Sequence, residues 1–199
     1  MLLWDVGGVL LSDGFDQKSR AEAVAHFGLD GAEFERRHAG VEIAFEMGQI
    51  DLDGYLDATV FYESRPFSRE EFRAFIFAQS RAHPAAIETA RAIRDAGEYR
   101  MAVLSNESRE LNEYRIRTFR LGPIFEDFFS SCYTGRRKPD PAAYRLALSV
   151  TQRAPEETLF LDDRAENVEA AARLGLRTLR VHDPGRLREE LAKVGISAG

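Results

Sequence analysis

Asp5, Ser105, Lys138 and the adjacent pair Asp162-Asp163 are the residues whose types and spacing could do chemistry together. Carboxylates supply the hard oxygen ligands that Mg²⁺ prefers, with water filling the rest of its octahedral shell. A carboxylate can also act as a nucleophile and carry a transferred group. A hydroxyl beside a backbone N–H at a helix start makes an anion site, and a lysine adds a compact charged donor. These are the parts of phosphoryl transfer, in which a cation screens the attacking carboxylate from an incoming phosphate dianion and stabilises charge as the bond breaks. Each residue has a plainer use as well, because Asp or Ser after a strand commonly caps the next helix. Four successive positions suited to phosphate and metal make capping alone a poor account.

The elements that must position them follow from the pattern. Residues 2–4 and Val9-Leu10-Leu11 flank a Gly7-Gly8 break, which reads as a short buried strand ending at a tight turn. From residue 85 the chain alternates. Helices are expected at 85–96, 107–120, 141–150, 165–174 and 186–194, and strands at 100–104, 129–133, 158–161 and 177–181. That alternation is the signature of an α/β fold with a parallel sheet covered on both faces. In such sheets ligands bind beyond the carboxyl ends of the strands. Asp5 ends the first strand, Ser105-Asn106 the second and Asp162-Asp163 the fourth, while Lys138 follows the third.

Residues 13–84 break the alternation. Helical patterns at 17–27, 31–38, 41–47, 51–63 and 68–79, separated by Gly28, Gly31, Gly40, Gly48 and Pro66, read as a helical insertion after the first strand. Its aromatic residues, among them Phe34, Phe45, Tyr55 and Phe72, are expected to form its own core, with the remainder at a substrate pocket or a dimer surface.

Composition narrows the partners. The chain has 199 residues, enough for a full core, with 44% hydrophobic and 30% charged residues. A net charge of −6 argues against nucleic acid, which needs a basic patch. Cys132 is the sole cysteine and cannot form an internal disulfide, as expected in a reducing cytoplasm. An aspartate at position 5 does not suit a signal peptide, and no window approaches the ~20 apolar residues of a membrane span. A cytoplasmic protein with no membrane partner is therefore expected, its oligomeric state left open. Only three lysines stand against 24 arginines; Lys18 and Lys193 fall in polar helical stretches where arginine would serve as well, and Lys138 is the candidate for a place where a guanidinium does not.

The motifs Asp5-Val-Gly-Gly-Val9, Leu104-Ser105-Asn106, Lys138-Pro139-Asp140-Pro141 and Leu161-Asp162-Asp163-Arg-Ala-Glu-Asn167 occur in order. With them the sequence resembles the haloacid dehalogenase superfamily of phosphohydrolases, over residues 1–12 and about 85–182. The resemblance implies a Rossmann-like core of residues 1–12 and 85–199 with sheet order 5-4-1-2-3, and a C1-type helical cap at 13–84. It implies a Mg²⁺-dependent hydrolase of a small phosphorylated metabolite, with sugar phosphates among the candidates. Asp5 then matches the nucleophile, and Ser105, Asn106 and Lys138 the phosphate-binding residues. Asp5, Asp163, Asp162 and the backbone carbonyl of Gly7 match the metal site, and Asn167 a residue behind it.

One position departs from that pattern. Phosphatases of the superfamily usually carry a second aspartate, a general acid and base, where this chain has Gly7. Such a group contributes roughly 10²–10⁴-fold. Three explanations stand side by side: a leaving group needing little protonation, replacement by Asp13 or Asp16, or a protein that binds phosphorylated ligands and turns them over poorly. A metal-independent dehalogenase is disfavoured, since Asp162-Asp163 would crowd charge without a cation. His26 and His38 read as surface or core positions, and Glu107 and Ser108 as caps of the following helix.

Overall fold

The computed structural model describes residues 1–197. Five parallel strands, β1 (Leu2–Trp4), β2 (Met101–Ser105), β3 (Asp127–Ser130), β4 (Leu159–Asp162) and β5 (Arg177–Arg180), form one sheet in the order β3-β2-β1-β4-β5. This is the expected order read from the other edge. Trp4 sits opposite Val103 and Leu161, and Ser105 opposite Ser130, so the strands end together at one edge.

The three central strands β1, β2 and β4 are buried along their whole length, as their apolar composition requires, while the edge strand β5 is partly exposed. Leu2, Trp4, Met101, Val103, Leu159 and Leu161 face one way and pack with α5 (Pro84–Ala96) and α10 (Leu187–Lys193). Leu3, Ala102, Leu104 and Phe160 face the other way, against α8 (Pro141–Thr151) and α9 (Ala165–Arg173). The period of two along each strand thus sorts alternate residues into two cores.

Four helices, α1 (Gln17–Phe27), α2 (Gly31–Glu46), α3 (Leu52–Thr59) and α4 (Arg69–Ala78), are inserted between β1 and α5. Each starts at a side-chain cap: Asp16, Asp30, Asp51 and Ser68 accept from the backbone N–H groups of Ser19, Glu33, Gly54 and Glu71. Each such cap stabilises a helix by about 1 kcal/mol. Phe34, Leu52, Tyr55, Leu56, Phe72 and Ile76 build a separate third core, joined by Leu111 of α6 (Arg109–Thr118). The two crossings between insertion and sheet run side by side. The Ser12 N–H donates to the Arg81 carbonyl at 2.8 Å, the Arg81 N–H to Ser12 Oγ at 3.0 Å, and the His83 N–H to the Leu10 carbonyl at 2.9 Å.

Several expected boundaries move. Gly40 does not break the second helical stretch: α2 is continuous from Gly31 to Glu46, and Gly40 is exposed with open space beside it. Its cost of about 1 kcal/mol is a propensity term that packing on the same helix outweighs. The third strand stops at Ser130, and Ser131–Thr134 form a helical turn, α7, closed by Gly135 with φ 60°. The helix after the second strand begins at Arg109, so Ser105 and Asn106 precede it by a short loop and are not at its first turn. The last two residues of the expected core segment, 198 and 199, lie outside the described residues.

Candidate active site

The strand ends bring the chemistry-bearing residues to one edge. Asp5 follows β1, 6% exposed; its Oδ1 accepts the Val6 N–H at 2.7 Å and its Oδ2 lies 2.8 Å from Lys138 Nζ. Lys138, 2% exposed, also donates to Asp162 Oδ2 at 2.6 Å, so its ammonium bridges two carboxylates. The loop carrying it is fixed by Asn106, whose Oδ1 accepts the Lys138 N–H and whose Nδ2 donates to the Lys138 carbonyl, both at 2.8 Å. The Asn106 side chain therefore places the lysine and caps no helix.

Asp162 is fully buried and saturated. Its Oδ1 accepts the Arg164 N–H at 2.8 Å, and Asn167 Nδ2 lies 3.1 Å from both oxygens. Asn167 is held in turn by the Tyr144 hydroxyl, which donates to its carbonyl at 2.9 Å. Asp163 differs. It is half-buried, and its buried Oδ1 has no hydrogen-bond partner among the described residues. Gly8, with φ 67°, makes room for it, because a Cβ there would overlap the Asp163 carboxyl group.

Asp5, Asp162 and Asp163 each offer a carboxylate oxygen, all within 4.8 Å of one another. One ammonium does not balance three carboxylates, which favours the protonated forms of the acids. Burial, with Asp162 adding to it, pushes Asp5 up to about 7 despite the Lys138 charge beside it. Burial and then the Asp13 and Asp162 charges push Asp163 up to about 6. Burial works against the Lys138 ammonium, yet the Asp5 and Asp162 charges hold it above the ordinary lysine value. The donor set is all oxygen, one atom of it is unpartnered, and charge is in deficit; these residues fit a divalent cation.

A cavity of about 420 Å³ opens over this edge and reaches the insertion. Asp5, Gly7, Ser105, Lys138 and Asp163 line its floor; Phe15, Arg20, His38, Glu42, Phe45 and Tyr55 line the opposite side. Of the two aspartates that could stand in at Gly7, Asp16 is occupied as the α1 cap, accepting from the Ser19 N–H at 2.8 Å and the Ser19 hydroxyl at 2.7 Å. Asp13 is free of such bonds among the described residues and lies against Gly7. Glu107 is not a cap: it pairs with Arg115, which also donates to the Ser12 carbonyl. His26 is exposed, as expected, whereas buried His38 faces the cavity and its Nδ1 lies 2.9 Å from the Tyr55 hydroxyl. The cavity residues of the insertion left no sequence signal beyond helical periodicity, which shows that a helix has a buried face and not what that face meets. Cys132 is 3% exposed, and burial pushes its thiol up to about 12, as suits an unreactive core residue.

Comparison with known proteins decides the family. The model of the haloacid dehalogenase-like hydrolases matches residues 1–175. The chain belongs to that family. This haloacid dehalogenase-like hydrolase is 27% identical over 198 residues to flavin mononucleotide hydrolase 1 of Arabidopsis thaliana, spanning 99% of this chain and 78% of that protein. It is 38% identical over 74 residues to bifunctional epoxide hydrolase 2 of Sus scrofa, a stretch equal to 37% of this chain and only 13% of that protein's length. A family enzyme of Bacteroides thetaiotaomicron, solved with magnesium and inorganic phosphate, shares the fold with a TM-score of 0.77 at 22% identity, over 90% of this chain and 92% of that one. Among the described residues of the hydrolase, no helix is long and apolar enough to cross a membrane.

Proposed function

We propose that this hydrolase cleaves small phosphate monoesters by attack of Asp5 on phosphorus, through an aspartyl-phosphate, and depends on Mg²⁺. The observation that carries the reading is the arrangement at one sheet edge: Asp5 and Asp162 share the Lys138 ammonium, while Asp163 keeps an unpartnered buried oxygen beside them. Asp5, Asp163 and the Gly7 carbonyl would hold the cation; Asp162, already accepting four hydrogen bonds, orients Lys138 from beside the site. Bound there, Mg²⁺ would neutralise phosphate charge as the ester bond breaks.

The chain's own residues do the rest. Lys138 and Ser105 receive the phosphoryl oxygens, and Asn106 keeps the lysine in register through its backbone. Asp5 Oδ attacks phosphorus and the ester oxygen leaves, taking a proton from Asp13. Asp13 is exposed along the cavity, and partial desolvation of its carboxyl group and then the neighbouring Asp16 charge raise it above the ordinary value, which suits it to hold that proton. Asp13 then takes a proton from the water that hydrolyses the phospho-Asp5 bond. We read residues 13–84 as a C1-type cap on a core of residues 1–12 and 85–199, closing over the cavity about the Ser12–Arg81 neck. The volume suits a small phosphorylated metabolite.

The test is a phosphomonoester panel with Mg²⁺ on the intact chain and on Asp5→Asn. Turnover that disappears in the variant and with EDTA is expected. Halide release from a 2-haloacid in EDTA would replace this reading with a dehalogenase, and tight ester binding without turnover would replace it with a phospho-ligand sensor.

A further inference from the structure

The cations that line the cavity are paired. Arg20, on the insertion side, is held by Glu35 through both ends of its guanidinium, Nε to Oε1 at 2.9 Å and Nη2 to Oε2 at 3.0 Å. Its third nitrogen, Nη1, donates to the Phe15 carbonyl at 3.2 Å. Among the described residues Arg115 is paired with Glu107, Arg164 with Glu166, and Lys138 with the two aspartates of the floor. His38 does not add charge, because burial and then the Arg20 charge hold it below the ordinary histidine value. On the same wall Glu42 lies 3.7 Å from His38 Nε2, and its charge also acts on Arg20 and Glu46. The floor can use Lys138 and a metal for one phosphate, and among the described residues no unpaired cation lines the opposite wall to neutralise a second anion. What the wall does offer is hydrogen bonding: the buried Nε2 of His38 has no hydrogen-bond partner among the described residues, and the Glu42 carboxylate can accept.

We propose that the cavity wall selects phosphate monoesters whose leaving group is uncharged and hydroxylated, and excludes those with a second anionic group, and that the Arg20–Glu35 pair sets this choice. The inference rests on the phosphomonoester reading above. Glu35 acts through Arg20: with the carboxylate in place the guanidinium presents no net charge to the cavity, and without it the same guanidinium becomes an anion receptor.

Glycerol 3-phosphate and 3-phosphoglycerate test this as a matched pair, differing in a CH₂OH against a carboxylate. Their binding with Mg²⁺ is measured by calorimetry on the full chain carrying Asp5→Asn, which keeps the outcome independent of turnover; kcat and KM are then compared on the chain with Asp5 intact. The uncharged ester is expected to bind about tenfold more tightly, roughly the effect of one charged contact. Adding Glu35→Gln should shift the ratio by about tenfold toward the carboxylate ester, in KM and not in kcat. Glu42→Gln, at a half-exposed position, should shift it the same way by about threefold and guards against a folding defect in the first variant. A carboxylate ester bound as well as or better than the uncharged one, or a ratio unmoved by both substitutions, overturns the inference alone. Failure of both esters to bind to the Asp5→Asn chain, together with no turnover of either by the chain with Asp5 intact, overturns the phosphomonoester reading and this inference with it.

Discussion

Asp13 stands where a side chain at position 7 would point: a Cβ placed on Gly7 comes 3.4 Å from Asp13 Oδ1. The methyl group itself fits at that distance, but the carboxyl group of an aspartate would enter the space the Asp13 carboxylate occupies. In the proposed reading, the acid expected at position 7 and Asp13 would compete for one space.

The first prediction follows. Asp13→Ala should lower kcat by about 10²-fold or more on an alkyl phosphate, whose leaving oxygen needs a proton, and much less on p-nitrophenyl phosphate. Gly7→Asp should recover part of the loss in the Asp13→Ala background and none in the presence of Asp13. Equal effects on the two esters would show that Asp13 does not move the proton.

Lys138 is buried between Asp5 and Asp162, at 2.8 and 2.6 Å. Lys138→Arg should abolish most turnover, since a planar guanidinium is too wide for a site shaped to a point charge. Lys138→Met should also destabilise the fold by roughly 3–5 kcal/mol, because it leaves buried charge uncompensated. Lys18→Arg and Lys193→Arg, both on exposed helical positions, should change neither activity nor thermal midpoint. Steady-state rates and thermal melts on the four proteins decide this.

Asn106 acts through the Lys138 backbone, so Asn106→Ala should reduce kcat while leaving the metal response intact. Its two hydrogen bonds to a partly buried loop suggest a stability loss of about 1–3 kcal/mol. A magnesium titration of activity, run beside a denaturant melt, separates the two effects. A changed magnesium midpoint would place Asn106 at the cation and not behind the lysine.

The carboxyl groups of Asp5 and Asp163 bind protons more tightly in the folded chain than the ordinary value near 4. Their contribution to stability is thus fully present below about pH 4 and is lost as pH rises through 6 to 7. In EDTA the thermal midpoint should fall between pH 5 and 8. A cation needs the ionised oxygens, so the upward shift given by Mg²⁺ should grow over the same interval. A magnesium shift of equal size at pH 5 and pH 8 would contradict this account.

Much of the candidate site was legible because its residues stand at strand ends. Buried strands read as short apolar runs, parallel strands point the same way, and the residue after each run is then carried to a common edge. Asp5, Ser105 and Asp162-Asp163 needed no more than that. Lys138 was placed by the strand before it and by the lysine count; that strand ends earlier than expected, at Ser130, and α7 intervenes.

What could not be read was which acceptor or donor each polar side chain would find. Asp13 and Asp16 are alike in sequence, but Asp16 is used by the first turn of α1 and Asp13 is left beside Gly7. Asn106 and Lys138 meet across 32 positions, and Asp162 and Asn167 share their bonds with Lys138 and with Tyr144 of a different helix. Arg20 and Glu35 lie on two helices whose relative placement sets their pairing. Local sequence determined the strands, the caps and the residues at the sheet edge, because those depend on neighbours a few positions away. Tertiary structure alone decided which carboxylates are neutralised and which remain free, because charge pairing depends on distances that only the folded chain brings about.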